Sequence, residues 1–337
     1  MRESLFIKKN LPRWKKYQEE HTDNPDEMAD RFVSLLDDLS YAKTFYSFSK
    51  VTRYINGIAA GIYQLIYQNR REQVGRFQLF FKYELPLLFR KYHRLLLFTF
   101  SFFLLCCVMG AFSSAHDETF VRGVLGDEYI NMTERNIANG DPFGVYKSGN
   151  EVVMFLYIAI NNIYVAMTCF IFGIFCSVGT LYILFKNGIM LGAFQYIFFS
   201  HGLGWKSILV IWIHGTLEIS SIVIAGCAGL IMGNSLLFPG TRKRIDALKK
   251  GAKDGVKIMV TLVPVFVVAA FLEGFVTRHT EMPVWLSLFI LLASLTFIIG
   301  YFIIYPIRLY RRGYQLSPEG KVLMPVNQSR QHEIESH

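Results

Sequence analysis

The chain has 337 residues, 52% of them hydrophobic and 18% charged, and a formal net charge of +9. Soluble domains carry about a quarter charged residues. Here the apolar excess is segregated: residues 1–93 and 306–337 are polar and charged, and long apolar runs fill the stretch between. That excludes a single large soluble core and marks membrane spans. The basic residues stand beside the apolar runs, where they meet anionic headgroups. No zinc-finger spacing, stacking platform or recognition helix accompanies them, so no nucleic-acid partner is expected.

Residues 1–71 read as a cytosolic helical region. Leu5, Phe6, Trp14 and Tyr17 punctuate a lysine-rich helix over 3–20. Asn24-Pro25-Asp26 marks a turn and helix start, since proline is tolerated in a first helical turn. Met28, Phe32, Leu35, Leu36 and Leu39 then recur at helical spacing, as do Tyr54, Ile55, Ile58, Ile62, Leu65 and Ile66 over 51–68. A small helical bundle near the membrane fits this pattern. Residues 72–93 interleave Phe77, Phe80, Phe81, Leu85, Leu88 and Phe89 with Arg76, Lys82, Arg90 and Lys91. An aromatic, basic segment of that kind is expected to lie in the headgroup plane as an amphipathic helix.

The transmembrane domain covers 94–305, and the predicted fold class is an all-α polytopic membrane protein with about six spans. The spans are predicted at 95–113, 162–184, 188–203, 207–237, 258–276 and 284–305, with residues 151–160 as an amphipathic lead-in to the second. A span needs about 20 residues, so the third is short and reads as marginal or re-entrant. Residues 115–150 read as a charged loop, net acidic, with Asp117, Glu118, Asp127, Glu128, Glu134 and Asp141 against Arg122, Arg135 and Lys147. Basic residues cluster in 239–257, at Lys186 and in the tail 306–337. The positive-inside rule then puts both termini in the cytosol and the acidic loop outside. No cleavable signal peptide is expected, since the first apolar run follows residue 93. Cys106, Cys107, Cys169, Cys176 and Cys227 all fall within apolar runs and read as small core residues.

Ionisable residues inside spans are costly and mark candidate sites. His214 and Glu218 lie four apart on one face of the fourth span. Ser221, Ala225, Gly229 and Gly233 continue that face as a stripe of small residues, the pattern that lets helix backbones approach in membranes. Glu273 and Gly274 sit near the end of the fifth span. Asn161 and Asn162 begin the second, and Gly188 and Gly192 form a packing pair in the third. The topology predicts that His214, Glu218, Glu273, Asn161 and Asn162 converge in the outer half of the bilayer. That cluster reads as a register-fixing hydrogen-bond network or as a proton- or ion-linked transport site. A membrane metal hydrolase is disfavoured, because no HExxH or second histidine stands at fixed spacing. No catalytic residue, cofactor or metal is expected.

Taken together, Asn161-Asn162, Phe172-Gly173-Ile174, Gly179-Thr180-Leu181, Asn187-Gly188, Leu191-Gly192-Ala193, His214-Gly215 with Glu218, Ala225-Gly226 and Ala269-Ala270-Phe271-Leu272-Glu273-Gly274-Phe275 resemble the stage II sporulation protein M family. The likeness covers most of residues 90–310. The resemblance implies a bacterial cytoplasmic-membrane protein. In spore formers such proteins act with cell-wall hydrolases as an anchor or scaffold during engulfment. Many relatives occur in bacteria that do not sporulate. The added N-terminal helices, outer loop and basic tail depart from the compact sporulation member. The expected function is thus a non-enzymatic membrane scaffold that recruits cell-wall-remodelling or other envelope partners. The alternative is a transporter or channel for a small solute, ion or lipid. The expected partners are the lipid bilayer and other envelope proteins, and the small-residue seam would also suit a homodimer.

Overall fold

The computed structural model describes residues 2–20, 22, 24–68, 75–144, 150–278, 282–317, 320, 322–323 and 325. Residues 69–74, Lys147 and most of the basic tail, which entered the sequence reading, lie outside the described residues, as does the side chain of Ile66. The chain divides into two compact units, Met1–Gln78 and Leu79–His337.

The first unit holds three helices: α1 (Glu3–Glu19), α2 (Pro25–Phe45) and α3 (Lys50–Gln68). Asn24 caps α2 by accepting from the Asp26 backbone N–H, and Pro25 occupies the first turn, where its missing N–H costs nothing. Phe6, Trp14, Leu35, Leu39, Ile55 and Ile58 form the core. The Trp14 indole buries its N–H by donating to Asp38 at 2.7 Å, and Arg13 pairs with the same carboxylate at 2.5 Å.

A short α4 (Arg76–Leu79) straddles the boundary, and the second unit continues with a π turn (Phe80–Glu84) and α5 (Leu85–Lys91). Pro86 has no N–H to return to the preceding turn. Tyrosines from the other end of the unit fill the gap: Tyr301 donates to the Phe81 carbonyl at 2.7 Å and Tyr305 to that of Lys82 at 2.9 Å. Leu85, Leu87, Leu88 and Phe89 are buried in protein, with Phe89 edge-on to Phe302 at 4.8 Å. The expected headgroup-plane helix is corrected here: its apolar face at 85–89 packs on other helices and not on lipid, although Phe77 stays exposed.

Among the described residues, six helices are long and apolar enough to cross a membrane. They are α6 (His93–His116), α9 (Glu151–Ile171), α10 (Val178–Ser200), α11 (Gly204–Leu237), α12 (Arg244–Phe271) and the run through α13 (Val284–Ile299) to α14 (Tyr305–Arg311). Between α6 and α9 the expected loop contains two amphipathic helices, α7 (Glu118–Leu125) and α8 (Asp127–Ala138). They bury Val121 and Ile130 against Ile197 of α10. A pair of two-residue antiparallel strands (Gln315–Leu316, Val322–Leu323) follows α14.

The second and third spans differ from the sequence reading. Residues 151–160 are part of a continuous α9, not a lead-in. The break falls at Phe175-Cys176-Ser177, where Cys176 and Ser177 take positive φ of 51° and 69°. The third span is therefore a full helix of 23 residues, neither marginal nor re-entrant. Because Phe-Cys-Ser is as apolar as its flanks, hydropathy runs through the turn without a dip. Cys176 is exposed in that turn, unlike the buried Cys106, Cys169 and Cys227.

The fourth span, α11, is the core of the unit, buried from Ser221 to Gly233. Small residues make this possible. A Cβ on Gly229 would lie 2.7 Å from the Cys169 carbonyl oxygen, and one on Gly233 would lie 2.6 Å from that of Gly173. Gly188 and Gly192 do the same for α10 on α6, where a Cβ would run into Cys106 and the Cys107 carbonyl. Ser221 and Ala225 are fully buried on the same α11 face. Gly229→Leu is expected to cost at least about 1–3 kcal/mol through overpacking, whereas Ile160→Leu on the exposed face of α9 should be near neutral. Thermal unfolding in detergent measures both, and equal midpoints would contradict the seam.

Candidate intramembrane site

α11 begins at Gly204, so the helical rise puts His214 about 15 Å and Glu218 about 21 Å along it. One turn separates them, and both side chains face α12. There the α-helix gives way to a π turn at Leu272–Val276 that carries Glu273. The wide turn is closed by Thr277, whose N–H and hydroxyl both donate to the Leu272 carbonyl, at 2.8 and 3.1 Å. Glu273 and Thr277, four residues apart, thereby reach the same histidine: His214 Nδ1 lies 3.0 Å from Thr277 Oγ1, and Nε2 lies 3.8 Å from Glu273 Oε2. One donor atom each from His214, Glu218 and Glu273 lies within 4.8 Å of the others. His214 is buried, while the two glutamates keep a partly exposed edge, 16% for the Glu273 side chain.

α9 closes the site. Gly274 packs on Phe155, and Ile158 and Ala159 pack on Ala270. Two turns after Phe155, Asn162 is 5% exposed and its side chain reaches Glu218. No well-aligned hydrogen bond closes, so its Nδ2 is buried without a partner, as is Ser221 Oγ on α11. Asn161 does not join. It is exposed on a different face of α9, because adjacent helical residues point about 100° apart. The expectation that both asparagines belong to the cluster, at the mouth of a span, is corrected on both counts: one participates, and it sits about 17 Å along α9. His201, at the α10–α11 turn, is exposed and also stands apart.

A second polar network lies at the opposite end of the unit, within the basic segment 239–257. Residues 244–257 continue α12, and Asp254 is 5% exposed. Its Oδ2 accepts from Lys91 Nζ at 2.8 Å and from the Tyr92 hydroxyl at 2.7 Å. Lys257 pairs with Glu84. The signal was present, since Gly251 and Gly255 flank Asp254 at packing spacing. Gly251 faces Ser235, and Gly255 faces Phe170.

The helix content, the six apolar helices and the protein-enclosed polar cluster define a multi-pass, all-α membrane protein. A family model for stage II sporulation protein M matches residues 99–278, more than half of the chain and including Asn162, His214, Glu218 and Glu273; the chain belongs to that family. A second model, described as a domain of unknown function (DUF8413), matches residues 4–68, the three helices of the first unit. No curated protein and no solved structure matches the chain.

Asp254→Ala is expected to lower stability by about 1–3 kcal/mol, since it strips the acceptor from the partly buried Tyr92 hydroxyl and removes the partner of the Lys91 ammonium. Asp254→Asn, which keeps an acceptor oxygen, should lose less. Denaturation midpoints in detergent that rank the two variants in the reverse order would contradict the network.

Proposed function

We propose that the chain is a non-enzymatic scaffold of the bacterial cytoplasmic membrane, with both termini cytosolic, that recruits cell-wall-remodelling or other envelope proteins. The observation that carries this reading is the close approach of backbones along the seams of α11 and α10. Where Gly229, Gly233, Gly188 and Gly192 meet carbonyl oxygens and backbone atoms, no room is left for the helices to slide or rock. Such a bundle suits the holding of soluble elements in place. The elements available are a three-helix unit with its own core and the α7–α8 pair. The cytosolic placement of both ends is supported by Arg242, Lys243, Arg244, Arg308 and Arg311 at one end and the acidic α7–α8 segment at the other.

A second reading is favoured by one observation, the convergence of His214, Glu218 and Glu273 within the bilayer. Ionisable groups there commonly line routes for ions or solutes, and in this reading the chain passes a small solute, ion or lipid through that cluster.

Photo-crosslinkers placed at exposed Phe48 of the first unit and at exposed Glu128 of α8, in native membranes, separate the two. A scaffold gives discrete protein adducts, and purified chain in liposomes gives no ion or solute flux. Lipid adducts alone, together with flux that Glu218→Gln and Glu273→Gln abolish, would overturn the scaffold in favour of transport.

A further inference from the structure

Glu218 and Glu273 face each other inside the bundle, and among the described residues no Lys or Arg pairs with either. Two carboxylates in a low-dielectric interior need a neutralising positive charge. The hydrogen bonds around His214 bear on what supplies it. The Thr277 hydroxyl, placed to donate to the Leu272 carbonyl, leaves its oxygen open to accept from His214 Nδ1. In the neutral tautomer that donates Nδ1–H to Thr277, the Nε2 lone pair is turned toward Glu273 Oε2 at 3.8 Å. A lone pair opposite a carboxylate oxygen is repulsive unless a cation or a proton stands between them. Holding one imidazole nitrogen by a hydrogen bond while the other faces an anionic donor set is the arrangement that orients histidine metal ligands. Asn162 adds an independent observation. Its amide is buried, reaches Glu218 and leaves Nδ2 without a partner. Rotation of that amide would present its carbonyl oxygen instead.

We propose that His214, Glu218 and Glu273, with Asn162 as an adaptable fourth donor, form an intramembrane site for a divalent transition-metal cation of the zinc or manganese class. Three donors no more than 4.8 Å apart lie within about 2.8 Å of a common point, so shifts of up to about 0.6 Å per donor bring them to the ~2.0–2.2 Å of Zn–N and Zn–O bonds. Charge selects the valence: two carboxylates and a divalent ion sum to zero, whereas a monovalent ion leaves a buried negative charge. The imidazole selects a transition metal over calcium or magnesium, which take all-oxygen sites. Thr277 is a positioning residue that aims the ring. The site stands independently of both readings above, since a bound ion could pin α9, α11 and α12 together in a scaffold or occupy a transport route.

The test uses the full, untagged chain in detergent, stripped with chelator and titrated with Co²⁺ as a spectroscopic substitute for zinc. One Co²⁺ per chain is expected, with visible d–d bands that Zn²⁺ displaces. Glu218→Gln and Glu273→Gln should each weaken binding tenfold or more, and Thr277→Val should weaken it by about 10–100-fold while leaving the donors in place. Absence of stoichiometric binding, or unchanged affinity in the two glutamine variants, overturns the site and leaves a proton as the neutralising charge. If those variants do not fold, X-ray absorption of the zinc-loaded parent decides. One imidazole among nitrogen and oxygen donors supports the site, and sulfur donors or several imidazoles overturn it.

Discussion

The second unit depends on one constraint: α11 is enclosed by protein, and only residues without bulk let its neighbours come close enough to enclose it. Lipid tails are as apolar as leucine, so hydrophobicity alone gives helices no reason to leave lipid for one another. Contact area and polar complementarity must do so. Gly229 and Gly233 bring the α9–α10 turn onto the backbone of α11, Gly226 receives Leu184, and Gly255 on α12 receives Phe170. The polar groups that α11 carries are then affordable only because that enclosure keeps them from lipid. The His214–Glu218 pair and the glycine stripe share one helix because burial of the first requires the second.

The two ends of the unit solve the same electrostatic problem differently. At the basic end each buried or half-buried carboxylate has a cationic partner: Asp254 with Lys91, and Glu84 with Lys257. The proline-linked π turn there has its carbonyls satisfied by tyrosine hydroxyls. At the other end, Glu273 on the π turn of α12 and Glu218 on α11 converge on His214, which also contacts Thr277. The first end is complete in itself. The second brings no Lys or Arg to its two glutamates among the described residues, and intramembrane ionisable groups of that kind are candidate functional sites.

Much of this was legible from residue spacing. His214 and Glu218 at one-turn separation, the small-residue stripe beyond them and Glu273 near a span end suffice to bring three ionisable groups together once the helices alternate in direction. Three features were not legible, each for a physical reason. The α9–α10 turn is made of Phe175, Cys176 and Ser177, with no glycine, proline or charge at the break, so hydropathy alone slid the second span by about ten residues. Asn161 and Asn162 are adjacent, and a helix can turn only one of them inward; which one depends on the packing of Phe155 on Gly274, a tertiary contact. Asp254 looked like loop charge because its partners, Lys91 and Tyr92, lie more than 160 residues earlier. Long-range pairing of that kind leaves no local signature.

The length of α11 has a consequence of its own. At 34 residues it is about 51 Å long, against about 40–45 Å for a bilayer with its headgroups. Either an end stands clear of the headgroups or the helix leans by about 30°. Because α6, α9, α10, α12 and α13 all pack on it, lean cannot be taken up by one helix alone. Hydrophobic mismatch with a thinner or thicker membrane therefore acts on the bundle as a single tilting body.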